Sequence, residues 1–473
     1  MRDYLQFYID GQWVDPITPK TSDVINPATE EVSGRISMGS VADVDKAVAA
    51  ARRAFPAWSQ TSAKDRLEVL RAIQAEYTRR QQELGEAVTE EMGAPLSLGC
   101  GFHVGLGAGH LQTAIEVLEQ FKFEEQRGTT RIIKEAIGVC GLITPWNWPL
   151  NQVAVKVFPA LATGCTMIVK PPQLAPYSAQ ILAEIIAAGG APAGVFNMIQ
   201  GSGSVIGTAL STHEDVDMIS FTGSEGVGVQ IQKDAAPTVK RVCLELGGKS
   251  AWIILDDAAT AENVAAATAN MMVNCGQTCS AGSRLLVPNS RMAEVIEAAK
   301  AAANGVTVGD PKGEVGMGPV VSKGQYNVIQ DYIQKGIDEG AQLIAGGLGR
   351  PEGLDKGWYC KPTVFVGTND MVIAREEIFG PVLVIIGYDD LDHAVAIAND
   401  SNFGLGGYVT GADLATCRTV ARRLRTGAIW INGGFDFHAP FGGYKRSGNG
   451  REWGEYGFHE YLEVKSLIGY GED

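Results

Sequence analysis

The run FYIDGQWVD alternates apolar and polar positions on either side of Asp10-Gly11, which predicts a hairpin. The pattern then changes period. SVADVDKAVAAARRAF, with Ser40 as its cap, and AKDRLEVLRAIQAEYTRRQQELGEAVTEEMG both repeat every 3.6 residues, and Met92-Gly93-Ala94-Pro95 stops the second. A further helix is expected over about 105–121, and KFEEQRGTTRIIKEA reads as a polar hairpin turning near Gly128. Beyond it, short apolar runs (GVCGLI, TMIVK, VFNMI, DMISF) alternate with helical stretches such as SAQILAEIIAAGG and SVIGTALSTH. Runs apolar on both faces, separated by helices, predict a parallel sheet covered on both sides. A second alternating block runs from about 250 to 435 through SAWIILD, SRLLVPN, AQLIAGG, PTVFVG, VLVIIGYD, GGYVTG and GAIWING. The tail EYLEVKSLIGY alternates again, as an edge strand would.

Length adds a constraint: 473 residues exceed one ordinary core and imply two or three domains. The net charge of −15 argues against nucleic acid or an anionic membrane as a partner. No apolar run has the length of a membrane span, and the first residues lack a basic segment followed by an apolar one, so a cytoplasmic location is expected. Eight scattered cysteines then read as reduced thiols, and none of their spacings fits zinc, so no metal is expected.

The chemistry-bearing residues stand at the ends of apolar runs. There is no GxGxxG; Gly201-Ser-Gly203-Ser-Val-Ile-Gly207 is one residue too long and reads as a turn before a helix. A better phosphate candidate is DMISFTGSEGVG, where a strand ends at Phe221, a helix starts near Ser224, and Gly223 and Gly228 flank the junction. Free amides and the helix dipole attract phosphate there; the alternative is a plain turn. Cys279 in NCGQTCSAGSR has small or polar neighbours, unlike Cys165 or Cys243. It is a candidate nucleophile, which needs a partly exposed, electropositive setting; the alternative is an inert thiol. Cys275, four residues earlier, is expected on the same helical face, within reach of a disulfide under oxidation. Glu245 in CLELGGKS is a carboxylate in an apolar run, a general base of raised pKa or else a structural Glu capped by the Gly247 and Gly248 amides. Asn147, boxed in TPWNWP, offers a rigid amide to an oxyanion, or is simply a turn residue.

PWNWP, LATGCTMIVKP, FTGSEGVG, LELGGKS, GQTC, EEIFGPV, NDSNFGLGG and PFGGYKRSG, in this order, resemble the aldehyde dehydrogenase superfamily over nearly the whole chain. The resemblance implies an α/β fold of two Rossmann-like parallel-sheet domains plus a small β arm for oligomerisation. The expected division is residues 1–118 and 137–247 for the cofactor, 248–448 for catalysis, and 119–136 with 449–473 for the arm and C-terminal strand. It implies oxidation of an aldehyde by NAD or NADP in a homodimer or homotetramer. Cys279 would attack the aldehyde, Asn147 and the Cys279 amide would hold the oxyanion, and Glu245 would activate the water that hydrolyses the thioester. Lys170, Gln173, Gly223, Ser224, Gly228, Trp146, Leu246, Gly247, Glu377 and Phe379 would line the cofactor site. Trp148, Val155, Phe435, Phe437 and His438 would line the aldehyde entrance, with Val155 making it roomier. Relatives that pass the acyl group to coenzyme A typically lack a Glu at position 245, so its presence favours hydrolysis to the free acid. The run Lys170-Pro171-Pro172-Gln173 departs from the KPSE of many NAD-preferring members, so NADP is expected to be tolerated. Two other classes fit the sequence less well. A cysteine hydrolase without a redox cofactor leaves FTGSEGVG, Lys170 and Glu377 unexplained. A non-catalytic protein that kept the fold has no reason to keep Cys279, Glu245 and Asn147 together.

Overall fold

The structure is a computed structural model that describes residues 1–471. Its first large sheet has seven strands, in the order Arg241–Glu245, Met218–Thr222, Val139–Ile143, Thr166–Lys170, Phe196–Met198, Phe7–Ile9 and Gln12–Val14. The first five run parallel; the N-terminal hairpin closes the edge antiparallel through Met198 and Tyr8. Asp10 and Gly11 both take positive φ, 55° and 77°, as a two-residue hairpin turn of this hand requires. Each central strand is buried along its whole length, and its residues alternate between two cores. Val139, Ile143, Ile168, Ile219 and Phe221 pack with helix Val41–Trp58. Cys140, Leu142, Met167, Val169 and Met218 pack with helices Ala63–Arg79, Val104–Gln120, Pro149–Thr163 and Tyr177–Ala188. This two-sided burial is why the runs carry no polar alternation.

The second large sheet runs Gln342–Ala345, Thr363–Val366, Val382–Tyr388, Arg284–Pro288, Ala251–Ile254, Gly406–Thr410 and Ala428–Ile431. It is parallel except for Gln342–Ala345 at one edge. A third sheet joins Glu124–Arg127, Thr130–Ala136 and the tail strand Leu462–Leu467. The tail pairs antiparallel from Leu462 opposite Ala136 to Leu467 opposite Arg131. Among the described residues no helix is long and apolar enough to cross a membrane.

Two local expectations differ from the structure. The repeat from residue 63 to 93 is two helices, Ala63–Arg79 and Gln81–Met92, broken at Arg80. Arg80 leaves the helical region (φ −109°, ψ 15°) and its guanidinium bridges Glu83 and Glu184, a long-range partner that no local repeat encodes. Cys275 and Cys279 do not share a helical face. Helix Thr260–Met272 ends before them, and Asn274 and Cys275 both take positive φ. The Cys275 thiol turns into the core and contacts the carbonyls of Gly318 and Pro319, away from Cys279.

Candidate active site

The C-terminal ends of the first sheet's strands face the loops around Cys279. Glu245 closes strand Arg241–Glu245 and is 2% exposed. The segment after Phe441 braces that end. Leu246 donates its amide to the Ser447 carbonyl at 2.9 Å, the Ser447 hydroxyl donates to the Gly247 carbonyl at 2.7 Å, and Gly448 bridges Glu245. Gly247 and Gly248 are forced by close approach rather than by φ. A Cβ on Gly247 would strike the Glu377 carboxylate, and one on Gly248 would lie 2.5 Å from the Cys279 carbonyl.

The Cys279 loop is fixed by side chains it borrows from the TPWNWP turn. Asn147 Nδ2 donates to the Gln277 carbonyl at 3.1 Å, while Asn274 Nδ2 donates to the Asn147 carbonyl at 2.9 Å. Trp148 Nε1 donates to the Thr278 hydroxyl at 3.0 Å, and Tyr408 donates its hydroxyl to the Ser280 carbonyl at 2.9 Å. Asn147 therefore commits one of its two amide protons to the loop and keeps the other for a ligand.

Cys279 and Glu245 open on one cavity of about 290 Å³. Trp148 and Phe435 line it as expected; Val155, Phe437 and His438 do not. Val155 is buried inside helix Pro149–Thr163, 2% exposed. His438 is at the surface, paired with Glu116 at 2.9 Å, and Phe437 packs behind the wall on His110. The sequence reading missed Trp252, Tyr408, Trp430, Phe441, Trp453 and Glu452, all of which line the cavity. Strand register alone marks three of them. Trp252, Tyr408 and Trp430 sit mid-strand at paired positions of adjacent parallel strands, and their rings stack at 4.6 and 4.8 Å.

The electrostatics divide the expectations. Both Glu245 oxygens are buried without a hydrogen-bond partner. Burial first, and then the nearby Glu452 carboxylate, hold its pKa well above the ordinary range. The Gly248 amide goes instead to Glu377 at 3.0 Å, so the capped, structural role for Glu245 is overturned. The electropositive setting expected for Cys279 is not supplied by side chains. Among the described residues no Lys, Arg or His lines the cavity, and burial, then Glu377 and Glu245, push the thiol up to about 12. Behind Glu245, Lys156 is fully buried; its ammonium donates to Glu452 at 2.5 Å and to the Ser220 hydroxyl at 2.9 Å.

A dinucleotide fits the remaining unspent groups. Ser224 begins helix Glu225–Ala235 exposed and with no side-chain cap bond, leaving first-turn amides open to phosphate. A Cβ on Gly223 would strike the Phe221 ring, and one on Gly228 would lie 2.7 Å from Leu246, so both glycines let this junction pack tightly. Lys170 ends strand Thr166–Lys170, where burial lowers its ammonium to about 8. Gln173 donates to the Ser22 hydroxyl at 3.0 Å. Glu377 receives the Gly248 amide on one oxygen, is held up to about 7 by burial, and has a second oxygen for a ribose hydroxyl. Trp146 and Phe379 meet edge to face at 5.4 Å, with Phe379 at φ 58°.

The family model described as "Aldehyde dehydrogenase family" matches residues 13–467. The chain belongs to the aldehyde dehydrogenase family. It is 54% identical to 3-succinoylsemialdehyde-pyridine dehydrogenase of a Pseudomonas species, over 99% of each chain. Among solved structures it matches aldehyde dehydrogenase C of Pseudomonas syringae, a cysteine-to-alanine mutant in complex with NAD+ and octanal. That match has a TM-score of 0.98 and 48% identity, covering 99% of this chain and 97% of that one. It also matches betaine aldehyde dehydrogenase of Staphylococcus aureus in complex with NAD+, with a TM-score of 0.96 and 36% identity over 99% of this chain and 96% of that one. As an aldehyde dehydrogenase, the chain catalyses nicotinamide-dependent oxidation of an aldehyde. The two rival classes, a cofactor-free hydrolase and a non-catalytic relic of the fold, find no support in these comparisons.

Proposed function

We propose that this aldehyde dehydrogenase oxidises an aldehyde to the free acid through a thioester on Cys279, with Glu245 as the hydrolytic base. The observation that carries the reading is the pairing of Cys279 with an unbonded, buried Glu245 in one cavity. The thiol gives up its proton to solvent, and its sulfur adds to the aldehyde carbon as the carbonyl π pair moves onto oxygen. The second Asn147 amide proton and the Cys279 amide receive the oxygen's developing charge. When bound, the dinucleotide supplies the hydride acceptor and a positive charge that the protein's own side chains do not place near the sulfur. Ser224 and the neighbouring amides hold its phosphates, Lys170 and Glu377 hold its riboses, and Phe379 braces the ring. Glu245 then takes a proton from water as it attacks the thioester, and the acid leaves with Cys279 restored as a thiol.

In this reading the two seven-stranded sheets belong to the cofactor and catalytic domains, and the three-stranded sheet of Glu124–Arg127, Thr130–Ala136 and Leu462–Leu467 is the arm through which a dimer or tetramer assembles in the cytoplasm. The 54%-identical relative is named for a semialdehyde bearing a pyridine, so the substrates tried first carry a ring. Absorbance of NADH or NADPH across an aldehyde panel tests the reading; cofactor binding without turnover of any aldehyde overturns it.

Gln173 sets cofactor choice in this reading. It can bond a ribose hydroxyl yet does not repel a 2′-phosphate, and the Lys170 ammonium is near in sequence to pair with one. The wild type is expected to use NAD and NADP with kcat/KM values within about tenfold of each other. Gln173→Glu should lower kcat/KM for NADP at least tenfold more than for NAD, since a like charge beside a phosphate costs on the order of 1–2 kcal/mol. A strong NAD preference in the wild type would refute the assignment.

A further inference from the structure

Three features of the cavity bear on the substrate: its lack of cations, the arrangement of its rings, and the backbone of Trp453. The carboxyl and thiol groups of the lining are Glu245, Glu452 and Cys279. Lys156 lies behind them, its ammonium already taken by Glu452 and Ser220. An anionic substituent on the aldehyde would therefore be desolvated with no partner. The lining is instead ring-rich, with Phe102 and Trp148 on one side and Trp252, Tyr408, Trp430, Phe435, Phe441 and Trp453 elsewhere.

Ring orientation separates an arene from a cation. A cation needs an open ring face. Tyr408 is sandwiched between Trp252 and Trp430, with interplanar angles of 18° and 16°. Trp453 stacks on Phe441 at 5.0 Å and 18°, and Phe437 lies tilted against it at 5.9 Å and 35°. Tyr408, stacked on both faces, and Trp453, with one face on Phe441, leave chiefly their edges for a ligand, and edges carry the positive end of the ring quadrupole. Edges attract the face of another arene and disfavour a cation.

Trp453 holds its place under strain. Its φ of 71° with ψ of 150° is a conformation that a residue with a side chain rarely adopts. The surroundings impose it. Glu452 and Phe441 exchange backbone hydrogen bonds at 2.7 and 2.8 Å on one side, and Gly457 donates to the Trp453 carbonyl at 3.0 Å on the other. The strained backbone directs a half-buried indole into the wall of the cavity, where an unstrained residue would turn elsewhere.

We infer that the substrate is an uncharged aldehyde bearing an aromatic ring, and that Trp453 is the residue that selects for that ring. This rests on the proposed oxidation of an aldehyde at Cys279. The test compares kcat/KM with NAD for 3-phenylpropanal, the equal-carbon nonanal, 4-carboxybenzaldehyde and trimethylammonioacetaldehyde. It uses wild type, Trp453→Leu and Trp453→Phe, each checked for folding by its melting curve. The expected result is a preference of about tenfold or more for 3-phenylpropanal over nonanal, the size of a ring–ring contact, with the two charged aldehydes lower still. In Trp453→Leu that ratio should collapse through a raised KM for phenylpropanal at nearly constant kcat, and Trp453→Phe should restore most of it. A ratio unchanged in Trp453→Leu, or a wild-type preference for nonanal or for either charged aldehyde, overturns the inference while leaving aldehyde oxidation standing. Absence of turnover with all four overturns both.

Discussion

Cys279→Ala is expected to lower aldehyde-dependent NADH formation by at least about 10⁴-fold, or roughly 5 kcal/mol of transition-state stabilisation. No other group in the cavity can take over. Thr278 accepts the Trp148 indole proton and sits in a braced loop, and Ser280 offers a hydroxyl, a far weaker nucleophile than a thiol. Without a sulfur adduct there is no tetrahedral alkoxide to expel hydride, so the loss should fall on kcat with cofactor binding intact. A companion measurement follows from the thiol's environment. With burial and two carboxylates pushing it up to about 12, Cys279 should alkylate slowly with iodoacetamide at neutral pH, and faster as pH rises, because only the thiolate reacts. Added NAD should accelerate alkylation at pH 7 by supplying the missing positive charge. Residual activity above about 1% in Cys279→Ala would remove the cysteine from the reaction, on the scale of nucleophile deletions generally.

How far the chain discloses this site depends on the range of the forces involved. Strand and helix content was legible because both-face burial and the 3.6 repeat are local consequences of the fold. The hairpin at Asp10-Gly11 and the parallel strands through Ile143, Lys170 and Thr222 all appear as read. Arg80 was not legible, because Glu184 lies 104 residues away. Cys279, Glu245 and Asn147 could be picked out because a polar group inside an apolar or proline-boxed run needs a reason. The pocket wall had no such mark. Trp252, Tyr408 and Trp430 look like ordinary strand aromatics until the register of three parallel strands puts them side by side. Phe437 and His438 share a loop with Phe435, yet only Phe435 reaches the cavity; Phe437 fills the space that Gly109 leaves by having no side chain. The electropositive setting expected of Cys279 failed for a different reason. A nucleophile that draws its charge from the cofactor needs none from the polypeptide.

Glu245→Gln should divide the reaction at the thioester. The substitution keeps shape and removes only the base, so hydride transfer should survive as a burst of about one NADH per active site, followed by turnover slowed roughly 10²- to 10³-fold. The acyl-enzyme should then accumulate and be visible as an added acyl mass on Cys279 in the intact protein. The pH dependence has a definite sign. Glu245 acts as the carboxylate, and burial together with Glu452 holds its pKa well above the usual range, so wild-type deacylation should rise with pH through that raised value. Glu245→Gln should lose that limb. Stability runs the opposite way. A carboxyl whose folded pKa is raised binds its proton more tightly in the native state, so its contribution is present below the unfolded value and is lost as pH rises through the folded one. The variant should therefore melt no lower than wild type at neutral pH and gain on it as pH increases, because a neutral amide replaces a buried carboxyl that has no hydrogen-bond partner for its charge. A missing burst with no acyl adduct, in a variant that still binds NAD, would show that Glu245 serves an earlier step, such as taking the Cys279 proton before attack.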